Sequence, residues 1–307
     1  MTAAIDFPRT ALFALICLLL FAALHIAPFL ADSEHRRKHG KPLLAPTWSV
    51  WHLLYAGEAI LLLLLLMTGV YYVALTAVAY PLGLSVDRIT TAISASNFAD
   101  PVALVWFFLP ATVLQNVAFF VVPATVIAGF YGTRLRDIGL PPTPPRRAVV
   151  AGLLLGVVFL LASGAIGYAL ESVAKQFDHV PAIHAMLKYE ATNPVAQMAT
   201  TLRTAGVAGL FWGFLAVAVA APLGEEMLFR GFAQGVLAKR FGAGAGVVLS
   251  ALLFAAPHTY SPIGLAVIFM MGIALAHVYR VSGSLWTVII IHAVNNGAQI
   301  LFAYFSR

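Results

Sequence analysis

The chain is made of long apolar runs with short polar breaks. The runs show neither the two-residue alternation of half-buried strands nor the regular polar face of soluble surface helices. At about 20 apolar residues per crossing, this pattern predicts an all-α fold: a polytopic membrane helix bundle with about eight transmembrane helices. The expected spans are 11–31, 53–80, 101–130, 147–170, 205–221 with an amphipathic continuation to 238, 245–258, 262–280 and 284–305. Pro222 interrupts the fifth run, which reads as one bent helix. The sixth run is short and ends in Ala-Pro257-His258, so it stops or kinks within the bilayer. The first run reads as a retained helix rather than a signal peptide. Its leading segment offers only Arg9, offset by Asp6, and the apolar stretch is long for a signal sequence. The loop 171–204 is the largest external segment and has room for a short surface helix.

Composition removes the main alternatives. Charged residues make up 10% of the 307 residues and hydrophobic ones 61%, with mean hydropathy +0.92. Soluble domains average about 25% charged residues, so water is not the main solvent of this chain. The apolar runs are too long and unalternating for a β-barrel. The single cysteine, Cys17, excludes an internal disulfide framework and a cysteine-based metal cluster. A net charge of +6 would suit nucleic acid, but most basic residues lie in short loops between apolar runs, so no nucleic-acid partner is expected. Arg36, Arg37, Lys38 and Lys41 share one side with Arg134, Arg136, Arg146, Arg147, Lys239, Arg240 and Arg280 when eight spans are threaded. That bias predicts a cytoplasmic face for these loops and both termini on the other side. The Ala/Gly/Leu-rich composition and short loops suit a bacterial cytoplasmic (inner) membrane.

Two sections are expected: an N-terminal three-span accessory section over 1–133, and a core over 134–307 holding the candidate chemistry. A stiff Pro141-Pro-Thr-Pro-Pro-Arg-Arg147 linker lies near their junction. Gly152 with Gly156, and Gly209 with Gly213, have the spacing of close helix packing.

Within the core, Glu225 and Glu226 stand adjacent in an apolar run, with Arg230 four residues on. A charge at mid-bilayer costs about 2.5–3.5 kcal/mol on insertion scales, so the pair marks a functional site. Glu226 and Arg230 stack at i, i+4 and can pair. Glu225 is turned by roughly 100° and is free to face a cavity as a general base on water. Phe254 and His258 share a face, as do His292 and Asn296 on the last span. Counting at 1.5 Å per residue, Glu225 lies roughly 21 Å from Lys239, His258 roughly 21 Å from Gly244, and Asn296 roughly 20 Å from Gly283. Three helices thus deliver these groups to one stratum. His25, His52 and His277 read as packing, and Glu58 as interfacial or packing. Glu225 and His258 could polarise water while His292 and Asn296 donate to an oxyanion. Alternatively, Glu225, His258 and His292 could hold zinc and let it acidify a bound water, although no H-E-x-x-H signature is present. No serine or cysteine stands in a nucleophilic context at this depth.

At these residues the chain resembles the CPBP family of intramembrane proteases, which holds the type II CAAX prenyl endopeptidases and bacteriocin-immunity-like proteins. The motifs match in order: E-E-x-x-x-R at Glu225, Glu226 and Arg230; F-x-x-x-H at Phe254 and His258; H-x-x-x-N at His292 and Asn296. Phe229-Arg230-Gly231-Phe232, Tyr279-Arg-Val-Ser-Gly-Ser-Leu-Trp286 and Arg134-Leu-Arg-Asp-Ile-Gly-Leu140 are similar to flanking family text. The resemblance covers roughly 134–307. It implies catalytic roles for Glu225, His258, His292 and Asn296, supported by Glu226, Arg230 and Phe254. Family members are commonly described as metalloproteases, and a metal-free glutamate mechanism is argued for the eukaryotic branch.

The expected activity is intramembrane endopeptidase cleavage of a membrane-associated peptide or protein, unprenylated if the chain is bacterial. The lipid bilayer is the other partner, and no oligomeric state is legible. Two further readings stand beside it. A non-enzymatic immunity or scaffolding protein would use the same polar cluster structurally, and a transporter or proton relay would need a continuous polar route.

Overall fold

A computed structural model describes residues 50–130 and 132–305. The expected span 11–31, the basic residues at 36–41, Cys17 and His25 lie outside the described residues. Within them the fold is all-helical. The helices are α1 (Val50–Ala79), α2 (Val86–Ser94), α3 (Pro101–Gly129), α4 (Arg146–Gln176), α5 (Pro181–Thr192), α6 (Pro194–Thr204), α7 (Gly206–Phe241), α8 (Ala243–Ala255), α9 (Pro262–Ser282) and α10 (Leu285–Phe305). Six of these are long and apolar enough to cross a membrane: α1, α3, α4, α7, α9 and α10. In the most apolar windows of α1 and α4 only 11% of residues are buried, so their apolar side chains face outward. Leu154, Leu161 and Phe302 are exposed in this way. Outward apolar faces on long helices are what a lipid solvent requires, and the chain is an integral membrane protein.

The expected helix over 245–258 is shorter than its apolar pattern. α8 ends at Ala255: Ala256 still has helical backbone and donates to Leu252 O, but Pro257 has no N–H to carry the ladder on to Leu253. The chain then turns within six residues into α9, whose start is fixed by buried Ser261; its hydroxyl accepts from the N–H groups of Ile263 and Gly264. The external segment also holds more structure than expected. α4 continues to Gln176, and α5 and α6 follow, each opened by a proline, with the Asn193 side chain capping α6.

The bundle is held by close backbone approaches. α4 packs along α10, where a Cβ on Gly152 or Gly156 would meet Ile290 or Val294 within 2.8 Å. α3 packs along α7, where a Cβ on Gly224 would collide with the Asn116 backbone. The residue beside the first glutamate is therefore pressed against a helix from the front section. Gly209 and Gly213 let α7 fold back against Leu202 of α6.

A strap over 135–141 ties the start of α10 to the rest. Gly139 adopts φ +80° after a short 3-10 turn, and its carbonyl accepts from the backbone N–H groups of Leu285 and Trp286. Tyr279 donates its hydroxyl proton to Ile138 O at 3.1 Å, and Trp286 Nε1 donates to Pro141 O at 2.8 Å. Leu285 and Ile138 are buried in the core beneath the strap. A side chain at Gly139 would strike the Gly283 carbonyl and force a left-handed backbone on an L-residue. The left-handed conformation alone costs roughly 1–2 kcal/mol. Gly139→Ala is expected to lower the thermal unfolding midpoint in detergent; a variant melting like the parent would show that the strap does not anchor α10.

Candidate active site

The glutamate pair sits in a stretch of α7 where the helix widens twice. Phe214–Ala220 and Met227–Ala233 are π-helical, and Ala221–Glu226 between them is α-helical. Pro222 accounts for the first wide turn. Ala221 N–H bonds Ala216 O five residues back, and the next donor in that register would be Pro222, which has none. The Val217 carbonyl is bonded instead by Asn296 Nδ2 of α10 at 2.9 Å. The second wide turn aligns polar side chains. On a regular helix, eight positions advance a side chain by about 80°, and the π turn offsets that drift. Glu226, Arg230 and Gln234 consequently line one side of α7, facing α9.

That line is a set of buried bonds between helices. Arg230 Nη1 donates to Glu226 Oε1 at 2.9 Å, with both side chains fully buried. Arg230 Nη2 donates to Gly272 O at 3.1 Å, and Gln234 Nε2 donates to Ala276 O at 2.9 Å. The guanidinium also lies 4.4 Å above the Phe254 ring, a cation–π contact. Glu226 Oε1 takes a second bond, from His292 Nδ1 at 2.8 Å. One carboxylate oxygen therefore joins α7 to α10, while Arg230 joins α7 to α9. Glu226 Oε2 is buried with no hydrogen-bond partner among the described residues.

Glu225 is placed differently. Its side chain keeps 13% of its surface exposed against none for Glu226, and its Oε2 lies 3.9 Å from His292 Nε2. That separation is too long for a direct hydrogen bond. Glu226 fixes the other ring nitrogen, and a carboxylate only accepts, so Nδ1 of His292 carries a proton. His292 Nε2 is then an acceptor in the neutral ring and a donor only when the ring is doubly protonated.

His258 lies three residues beyond the end of α8, yet keeps its place beside Phe254. Its Nδ1 bonds Phe254 O at 2.8 Å and its ring centroid is 5.2 Å from the Phe254 ring. The carbonyl is an acceptor, so Nδ1 is protonated and Nε2 of the neutral ring holds the free lone pair. His258 is half-buried and His292 buried. Phe254 is the common wall: it meets Phe229 edge-on at 5.4 Å and His292 edge-on at 5.9 Å.

Glu225, Glu226, Arg230 and His292 are thus in direct mutual contact or close to it. His258 joins them across Phe254, and Asn296 sits one turn along from His292, with one amide proton given to Val217 O. Asn295 belongs to the site as well. It is buried, donates to Asn296 Oδ1 at 3.2 Å, and accepts from Ser163 Oγ of α4 at 3.3 Å. Its position beside Asn296 was the only sequence signal for it. Among the described residues, no three His, Cys, Asp or Glu side chains come together closely enough to hold a metal ion. The set Glu225, His258 and His292 does not form such a group in this arrangement.

Removing Arg230 would leave Glu226 as a buried, uncompensated charge, a change that costs about 3–5 kcal/mol. Arg230→Met is expected to lower stability in detergent strongly, and Glu226→Gln added to it should restore part of the loss. A double variant no more stable than Arg230→Met alone would contradict the pairing.

Comparison with known proteins bears on the same stretch. No curated protein and no solved structure matches this chain. Residues 207–298 match the family described as Type II CAAX prenyl endopeptidase Rce1-like. The matched segment runs from the first turn of α7 into α10 and holds Glu225, Glu226, Arg230, Phe254, His258, His292 and Asn296. The stretch that carries the candidate site, residues 207–298, is therefore similar to the Rce1-like type II CAAX prenyl endopeptidase (CPBP) family.

Proposed function

We propose that this protein is an intramembrane endopeptidase that hydrolyses a peptide bond of a membrane-associated peptide or protein. The observation that carries this reading is the unequal placement of the two glutamates around His292. Glu226 is sealed between Arg230 and His292 Nδ1, whereas Glu225 is partly exposed beside His292 Nε2. A locked carboxylate organises, and a reachable one reacts.

In the mechanism we favour, water is held between Glu225 and His258. Glu225 takes a proton as the water oxygen attacks the scissile carbonyl carbon. His258 Nε2 accepts the second water proton in a hydrogen bond, because its Nδ1 is committed to Phe254 O. The tetrahedral oxyanion is met by the remaining amide proton of Asn296, and by His292 Nε2–H when that ring is doubly protonated. Glu225 then returns its proton to the departing amine as the carbon–nitrogen bond breaks, leaving a carboxylic acid and an amine. Lipid-facing helices exclude bulk water, which strengthens each of these polar contacts.

Engagement of Glu226 and Asn296 in bonds between helices also suits the structural reading, in which the cluster is glue. The two readings part at Glu225. Glu225→Gln keeps the size and hydrogen bonding of the side chain but removes the base. It is expected to reduce cleavage of a membrane-peptide library by about 10²–10⁴-fold with an unchanged unfolding midpoint. Glu226→Gln should lower both stability and cleavage. Cleavage by Glu225→Gln equal to the parent's would remove Glu225 from the mechanism.

A further inference from the structure

Away from the glutamates, at the other end of the bundle, a cavity of about 550 Å³ opens between α4, α9, α10 and the strap. Its polar rim carries Arg136, Arg147, His277, Ser282 and Ser284; its inner wall is apolar, with Ala151, Leu155 and Val278. From this we infer a binding site for the headgroup of an anionic phospholipid, with the phosphate between Arg136 and Arg147 and an acyl chain laid along Leu155 and Val281.

Four observations converge on that occupant. Charge comes first. Arg147 has no ion-pair partner among the described residues, and Arg136 has only an exposed 3.8 Å contact with Asp137. Arg134, Arg146, Lys239, Arg240 and Arg280 lie near the helix ends on the same side, where Asp137 is the one acid in the connections 132–145, 242 and 283–284. Next is backbone polarity. The 31-residue α4 begins at this rim, so its N-terminal end adds partial positive charge beside the guanidiniums, whereas the first N–H groups of α10 are taken by Gly139 O and Ser284 Oγ.

The third observation is size: about 550 Å³ falls in the range of small-molecule sites and exceeds what a free phosphate needs. The fourth is the wall. Leu155 and Val281 are both exposed, at 41% and 74%, on helices whose outer faces are apolar, so the cavity is open toward lipid rather than sealed from it. A charged rim above an apolar, lipid-open wall matches an amphiphile whose charged end is an anion. The cavity shares no lining residue with the glutamate site, so the inference does not rest on the proteolytic reading.

The test uses the full chain, delipidated in a nonionic detergent and titrated with phosphatidylglycerol or phosphatidylcholine under native mass spectrometry. The parent should bind phosphatidylglycerol in preference to phosphatidylcholine. Each arginine near an anionic headgroup contributes about fivefold in affinity (about 1 kcal/mol). Arg136→Gln with Arg147→Gln should therefore weaken phosphatidylglycerol binding about thirtyfold. Arg146→Gln with Arg280→Gln removes equal charge from the same end without touching the cavity lining, and should change binding little. Should the first pair lower the unfolding midpoint, Arg147→Gln alone, at an exposed side chain, carries the measurement with an expected fivefold loss. Equal binding of the two lipids by the parent, or equal losses in the two double variants, overturns the inference. So does saturation of the site by inorganic phosphate without any preference between the lipids, which would leave a free-anion site instead.

Discussion

One carboxylate oxygen, Glu226 Oε1, accepts hydrogen bonds from donors on two helices: Arg230 on its own helix and His292 on α10. A charge so deeply buried is tolerable only when compensated and bonded. That constraint dictates much around it. Arg230 must also be buried, and its second amino group needs an acceptor, which the Gly272 carbonyl of α9 supplies. Its flat face needs cover, which Phe254 provides. Phe254 in turn sets the distance between His258 and His292. The pair thus aligns helices α7, α9 and α10 and leaves Glu225 as the carboxylate with access.

The backbone irregularities around the pair follow from the same demand. On a regular helix Glu226, Arg230 and Gln234 would drift by about 80°, and Pro222 would leave a carbonyl without its donor. Two π turns resolve this, and each has an identifiable local partner. The Val217 carbonyl, short of a donor because of Pro222, takes its bond from Asn296. The polar groups of the last helix are therefore partly structural: Asn296 supports the bend that displays Glu225, and the Ser163–Asn295 contact holds Asn296 from the far side.

Much of this was legible in the sequence, for physical reasons that also mark its limit. The spans are visible because lipid demands long apolar runs, and the Glu226–Arg230 pairing follows from i, i+4 spacing on one helix. Gly152 and Gly156 announce a close approach, which α10 fills. The bond between Glu226 and His292, 66 residues apart, was not legible. It depends on how far each helix is rotated, and the π turns alter that rotation without changing the hydrophobic pattern. The sequence places His292 either at the oxyanion or among zinc ligands, and neither reading anticipates that its Nδ1 is spent on Glu226. The mixed character of 171–204 suggests one short surface helix where the fold has two, α5 and α6, although Pro181 and the Asn193–Pro194 pair are start signals that mark both.

The central claim is that Glu226 holds His292 by its Nδ1 proton and so turns Nε2 toward Glu225. Nitrogen NMR of ring-labelled histidine in the detergent-solubilised protein, with His292 assigned through its loss in His292→Gln, measures this directly. The account predicts an Nδ1-protonated, strongly hydrogen-bonded His292 ring whose signals move in Glu226→Gln. A neutral His292 protonated on Nε2 alone, unaffected by Glu226→Gln, would contradict it.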